Sequence, residues 1–377
     1  MSKTHTKIRA TIALLIITST LAVARRSHTE DRAALKTTIF SDNCGLLVQA
    51  PTLMLVKKLS RVAAIAIQYS LDRVNIPPVR EVSGVPLPTD GISGASRPVS
   101  SDNSSVDGAF LKKRNEFLGS LSFGSFDITS YYSAEADYIG RLFSIGINQD
   151  FLQKNTNIAL RVGYGWDAIT PTGRLSSYEK TNVLANLTLT QILSRKSIMR
   201  LGMDISYIDG FQANPYRTVF INGGYFYETH PVQRTRVAGF FKLNTYLQSL
   251  DAALWLDYRI YGDDWGVISH TIGAKLYQNV TDRLMIRYRY RFYSQSAAYF
   301  YSENYPLVNG PGFFSGDYKL MPFHANLFGF QLDYQAPQLE RWLPFANEPA
   351  LHVKYERYFT SEYFGANILQ FGLNFGF

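Results

Sequence analysis

The sequence predicts an all-β chain, a transmembrane antiparallel up-and-down β-barrel of about sixteen strands with both termini in the periplasm. Three observations predict it. Residues 368–377 alternate strictly, with Leu369, Phe371, Leu373, Phe375 and Phe377 on one side and Gln370, Gly372, Asn374 and Gly376 on the other. A strand turns successive side chains to opposite faces, so this segment has one apolar and one small, polar face. The same two-faced pattern recurs along the chain in runs of about ten residues or more, long enough to cross a bilayer as tilted strands. Aromatic residues make up 14% of the chain and charged residues only 18%, whereas a soluble protein carries about 25% charged residues. A barrel wall accounts for this balance, because half of each strand faces lipid and Tyr gathers at the two interfaces.

The N-terminus reads as a secretory leader, 1–24, ahead of a single barrel domain, 25–377. Lys3, Lys7 and Arg9 precede an apolar stretch from Ala10 to Ala24, which closes on the small-x-small site Ala22-Val23-Ala24. A single membrane anchor is the competing reading, but the stretch falls short of the roughly 20 residues that a helical span needs. Beyond it no apolar run is long enough for a helix to cross a membrane. The barrel therefore rests on strands, expected at 33–42, 46–57, 62–75, 113–123, 126–136, 138–151, 157–168 and 178–193. The second half continues with 197–208, 234–247, 251–262, 266–278, 283–294, 317–334, 351–359 and 365–377. Residues 218–227 could add a hairpin, so fourteen and eighteen strands are the neighbouring counts. A soluble sandwich also alternates, but its strands average about 5 to 6 residues. A bilayer core, moreover, excludes open sheet edges.

Connections sort by length. Short polar links near 57–61, 124–125, 153–156, 194–197, 247–250 and 279–282 read as periplasmic turns. Long segments near 77–112, 170–178, 209–233 and 295–316 read as external loops. One long link, 335–350, falls on the short-turn side. Its Trp342, Leu343 and Phe345 leave two placements, packed under the barrel rim or facing a partner. A C-terminal strand ending on Phe resembles the closing strand of outer-membrane barrels. The resemblance implies that Phe371, Leu373, Phe375 and Phe377 form the signal read by the barrel-assembly machinery, and it places the protein among outer-membrane lipids.

The alternation also defines a lumen. Arg287, Arg289 and Arg291 share the polar face of one strand, with Lys275 on its neighbour, Asp257 and Arg259 on the next, and Arg200 and Asp204 on another wall. An Arg or Lys facing lipid at midplane costs about 2–4 kcal/mol, so this face turns inward. Two readings follow. The arginines form a ladder that favours anions in a pore, or they brace the barrel through Asp257, Asp204 and Glu356.

Enzymatic signals are weak. The histidines, His5, His28, His230, His270, His324 and His352, show no metal-ligand spacing. Ser269 and His270 adjoin within a strand and so face opposite sides. Asp263-Asp264 at a tight turn could take a divalent cation, though such turns are ordinarily solvated. Cys44 is the sole cysteine and reads as a spare thiol. The net charge of +8 is scattered, with no nucleic-acid reader among the motifs. No catalytic, metal or cofactor residue is assigned.

Several strings stand out together: Thr38-Ile39-Phe40-Ser41-Asp42-Asn43, Asp90 to Ser96, Asp209-Gly210-Phe211 followed by Asn214-Pro215-Tyr216-Arg217, Tyr258 to Gly266, and Arg291 to Ala298. Their order resembles a family of bacterial outer-membrane barrel proteins known only as a domain of unknown function. The resemblance implies a barrel, an outer-membrane address in a Gram-negative cell and no assigned activity. It also implies a link to periplasmic redox proteins. The chain carries no flavin-attachment motif, so any flavin would sit on a partner. The expected function is a non-enzymatic conduit or envelope scaffold. The alternatives are a barrel-borne hydrolase acting on lipid or surface material, and a loop-plugged receptor or docking barrel.

Overall fold

The computed structural model describes residues 31–76, 81–82, 85–86, 110–221, 223–305 and 312–377. The expected leader and most of the 77–112 loop lie outside these residues. The first strands are β1 (Arg32–Asp42), β2 (Leu47–Lys58), β3 (Ala63–Ile76), the short β4 (Glu81–Val82) and β5 (Val85–Pro86), β6 (Phe110–Phe123), β7 (Phe126–Ala134) and β8 (Tyr138–Phe151). Then come β9 (Thr156–Ile169), β10 (Tyr178–Ser194), β11 (Ser197–Gly210), β12 (Thr218–Ile221), β13 (Gly224–Tyr227) and β14 (Gln233–Leu247). The last are β15 (Ala252–Asp263), β16 (Ile268–Thr281), β17 (Leu284–Gln295), β18 (Phe323–Gln335), β19 (Asn347–Thr360) and β20 (Gly365–Gly376).

All but β4, β5, β12 and β13 join one closed antiparallel barrel of sixteen strands in sequence order. The cylinder closes where β20 pairs with β1, from Arg32↔Gly376 to Asp42↔Ala366. Closure pairs both edge strands, the condition for placing sheet in a medium without water. The outward face is what the alternation demands. Leu53, Leu55, Ile67, Phe117, Val162, Leu201, Ile205, Leu256, Ile260, Phe330 and Phe371 are all exposed on it. An apolar band this continuous is stable only against hydrocarbon, so the chain is a transmembrane barrel of the outer-membrane type. Among the described residues no helix is long and apolar enough to cross a membrane; the crossing is made by strands.

Both ends of the described chain meet at the short-turn end, where the Phe377 amide donates to the Asp31 carbonyl (3.2 Å). The sixteen barrel strands fall in the expected segments, with all boundaries within three residues of expectation except two. β18 begins at Phe323 rather than 317. Residues 317–320 form a turn instead, closed by Leu320 N–H to Asp317 C=O (2.8 Å), with Lys319 and Leu320 buried in it. β19 begins at Asn347, inside the long link. A bulge between Asn347 and Ala350 lets Pro349, which has no N–H, stay in the strand. The hairpin considered at 218–227 exists as β12–β13, outside the barrel wall and at the long-loop end.

That end is packed. Leu46, Val48, Val74 and Ile76 form one apolar cluster, and Met321, Phe323, Leu327, Tyr358 and Phe364 belong to a second. A third joins Trp265 and Val267 to the loop residues Ala298, Phe300 and Leu320. The described residues of the connections after β11 and β17 thus pack onto one another and onto inward faces of the wall, forming a cap at this end.

Candidate functional site

Arg287, Arg289 and Arg291 lie on the inward face of β17, alternating with the lipid-facing Tyr288 and Tyr290. Register sets their neighbours: Arg287 opposes Tyr277 and Gln331, Arg289 opposes Lys275 and Gly329, and Arg291 opposes Gly273 and Leu327. Arg289 donates from Nη1 to Glu356 Oε1 (2.7 Å), and Lys354 Nζ reaches Glu356 Oε2 (3.2 Å). Arg287 donates to the Gln331 amide oxygen, and Gln331 Nε2 in turn donates to Asp333 (2.7 Å), which also contacts His352 Nδ1 (3.0 Å).

Arg259 donates from Nη1 to Asp204 Oδ2 (2.6 Å), and Asn186 holds the other oxygen (2.5 Å). Arg200 donates from Nε to Thr190 (3.3 Å). Asp204 therefore shares a wall with Arg259, correcting the placement on separate walls. The long excursion between β11 and β14 stays outside the barrel, so the two strands pair directly and only β14 separates Asp204 from β15. Asp257 opposes Lys242. Lys242 and Lys354 were missed by the sequence reading, although each has the inward parity of its strand. Lys242, Arg259, Lys275, Lys354 and the three arginines of β17, set against Asp257, Asp333 and Glu356, leave the β14–β19 wall predominantly cationic.

Inward glycines shape these contacts. At Gly329 an added Cβ would lie 2.6 Å from Glu356 Cγ, because Glu356 crosses the glycine to reach Arg289. At Gly146 it would lie 2.6 Å from Asp127, which crosses to Arg161. Asp257 lies in the same way over Gly273, on whose far side stands Arg291. In each triplet the middle strand contributes no side chain, so the flanking ones lie flat against the wall.

The cap has its own polar centre. Glu228 accepts from the Asn214 amide (2.5 Å), from Ser315 Oγ (2.9 Å) and from Arg217 Nη1 (3.4 Å). Arg217 also pairs with Asp317 (3.3 Å). Burial pushes the Glu228 carboxyl up, but the Arg217 charge and the His230 contact outweigh it and hold the group down at about 2. Two links tie the cap to the wall. Tyr216 OH donates to Asp137 (2.7 Å) while accepting from the Thr172 amide (2.7 Å), and Trp265 Nε1 donates to the Gln233 carbonyl (3.0 Å). Thr229 and Phe314 exchange backbone hydrogen bonds (3.1 and 3.0 Å), joining the two capping loops.

Asp263 is neither a solvated turn residue nor free for a cation. It is buried, and it accepts from Arg234, from Tyr261 (2.5 Å) and from the Val267 amide (3.0 Å). The arginine already supplies the positive charge. Among the described residues no group of three or more His, Cys, Asp or Glu could hold a metal.

A serine, a histidine and a carboxylate do meet, as a hydrolase requires: His230 Nε2 lies 2.9 Å from Ser315 Oγ. Their order is wrong for catalysis. Glu228 takes the serine hydroxyl proton and approaches the same imidazole nitrogen (3.6 Å), and the Asp317 amide donates to that hydroxyl (3.0 Å). All three side chains are buried, which suits a packing knot.

Residues 99–358 match the model of the family described as "Protein of unknown function (DUF3570)". No curated protein matches the chain. Among solved structures, the chain is similar to the CymD monoaromatic hydrocarbon channel at 9% identity and a TM-score of 0.43, over 92% of this chain and 88% of that one. It is similar to the outer membrane protein opdK from Pseudomonas aeruginosa at 9% identity and a TM-score of 0.44, over 92% and 98%. The siderophore receptor PirA from Pseudomonas aeruginosa gives 10% identity and a TM-score of 0.44, over 88% of this chain and 56% of the receptor. Likeness at this level says nothing about what this barrel passes or binds.

Proposed function

We propose, for a chain that belongs to the DUF3570 family of unknown function, a loop-capped outer-membrane conduit whose cationic wall favours anionic solutes. One observation carries the reading. On the lumen side of the β14–β19 wall Lys242, Arg259, Lys275, Arg287, Arg289, Arg291 and Lys354 outnumber Asp257, Asp333 and Glu356, and Arg234 and Arg236 outnumber Asp263. A ring-like excess of one sign in a water-filled bore selects the opposite sign. Some of these cations also brace the wall, as Arg289 does through Glu356; bracing and selectivity coexist because one carboxylate answers two cations there. In the usual orientation of such barrels the short turns face the periplasm and the cap faces outward. Passage then requires the cap to shift.

Planar-bilayer recordings test this. The expected result is cation-poor conductance that loses anion preference when Arg287, Arg289 and Arg291 are all changed to Ser. An unchanged reversal potential would count against the ladder. No conductance from either wild type or a cap-loosened variant would remove the conduit altogether. In that case the packed cap favours a second reading, a receptor or docking barrel. The buried Ser315–His230–Glu228 knot disfavours the hydrolase. Labelling of Ser315 by a fluorophosphonate in the native barrel would reverse that judgement.

A further inference from the structure

The link between β18 and β19 runs along the outside of the barrel. Its single turn, Pro337–Arg341, is fixed between two buried small residues, Ala336 and Ala346. The Ala336 amide donates to Pro349 C=O (2.8 Å), and Leu343 N–H donates to Leu339 C=O (2.8 Å). That last bond puts Leu339 and Leu343 on one side, half-buried. Trp342 and Phe345 are left 80% and 60% exposed.

Two contacts show which surface the segment leans on. Gln338 Nε2 donates to Tyr334 OH (3.1 Å), and the Phe345 ring meets the Phe375 ring edge-on, centroids 5.7 Å apart at 70°. Tyr334 has the outward parity of Phe328 and Phe330, and Phe375 that of Leu369 and Phe371. Both therefore stand on the lipid-facing side of the wall. Of the two placements expected for this link, packing under the rim does not describe these contacts, which lie on the outward face.

We propose that residues 337–346 are an interfacial anchor, with Trp342 and Phe345 inserted at the headgroup–acyl boundary of the leaflet beside the short-turn end. Continuity with the barrel's apolar belt commits the occupant to lipid, since Phe345 simply extends the surface that Phe375 presents. Indole is suited to that layer, having an apolar body and a polar N–H. Glu340 and Arg341 are exposed beside it and can stay in headgroup water.

The test uses the full barrel in vesicles of phosphatidylethanolamine and phosphatidylglycerol. Single cysteines in a Cys44→Ser background carry an environment-sensitive dye at Trp342→Cys, Phe345→Cys, mid-belt Leu53→Cys and turn-tip Arg195→Cys. A lipid bearing a nitroxide near its headgroup and aqueous iodide serve as opposing quenchers. Dyes at 342 and 345 should be quenched by the lipid nitroxide, and about threefold less by iodide than the dye at 195, as an interfacial site requires. Iodide quenching equal to that at 195, with no nitroxide effect, would overturn the proposal. The vesicles hold only lipid and this protein, so that outcome would assign the exposed face to another occupant. Heat-shifted gel mobility verifies folding of each variant, and 345 answers the question alone should the 342 variant fail.

Discussion

Replacing Glu228 by Gln removes the anion on which the cap converges. In the native protein that carboxylate meets Arg217 at 3.4 Å, Ser315 at 2.9 Å and the Asn214 amide at 2.5 Å, with its side chain fully buried. Burial pushes its ionisation up, but the Arg217 charge and the His230 contact outweigh that and hold it down, so the charged form stabilises the closed cap. Breaking a buried pair from one side costs about 3–5 kcal/mol. A loss of 3 kcal/mol raises the fraction of open cap about a hundredfold. Amide exchange at pH 7 reads it directly, because the Thr229 and Phe314 amides bond across the two capping loops. Peptides spanning them should exchange about a hundredfold faster in Glu228→Gln, while peptides from β2 and β3 stay unchanged. The pH dependence has a definite sign. A lowered carboxylate contributes fully above its unfolded value, and the contribution fades as pH falls from 4.5 toward 2. Wild type should therefore show an extra loss of protection in that window, and the Gln variant should lack it. Cap exchange within about threefold of wild type at pH 7 would refute the argument that this carboxylate holds the cap.

Other expectations follow from single contacts. Gly329→Ala places a methyl 2.6 Å from Glu356 Cγ and 3.2 Å from the Tyr355 carbonyl; displacing Glu356 from Arg289 should lower barrel stability by about 1–3 kcal/mol in urea titration. Tyr216→Phe removes the donor to Asp137 and the acceptor for Thr172; cap exchange should rise with a loss of about 2 kcal/mol, the barrel strands being unaffected. Deleting Phe377 should sharply reduce membrane-inserted barrel in cells yet change the stability of protein refolded in vitro by less than about 1 kcal/mol, because the ring is largely exposed. Equal yields of inserted barrel would refute its role as an assembly signal.

The wall was legible because its signal is local and repeated: two-faced strands show in any ten-residue window, as in Leu284 to Gln295. Failures came where local pattern and tertiary role diverge. Residues 317–321 alternate like a strand start, yet Lys319 and Leu320 are both buried in a turn, which period-two parity cannot express. Glu348 and Pro349 look like loop residues, but a bulge admits them to β19. Asp204 and Arg259 seemed distant because the excursion between their strands was long, while sheet pairing ignores what lies between. The cap was illegible for a stronger reason. Ser315 lies more than eighty positions from Glu228 and His230, in a different loop, and loop packing has no period to read. Its one cue was Arg217, Glu228 and His230 flanking the apolar residues Val219, Ile221, Tyr225 and Phe226.

The glycine that separates each acid from its arginine has a mechanical consequence. With the middle strand bare, an ion pair spans three staves of the cylinder as a hoop laid around the circumference rather than a strut thrown across the axis. Sliding any stave by one residue would put a lipid-facing side chain where the glycine was and tear the hoop. The barrel is thus stiffened against shear by charges that lie along its wall.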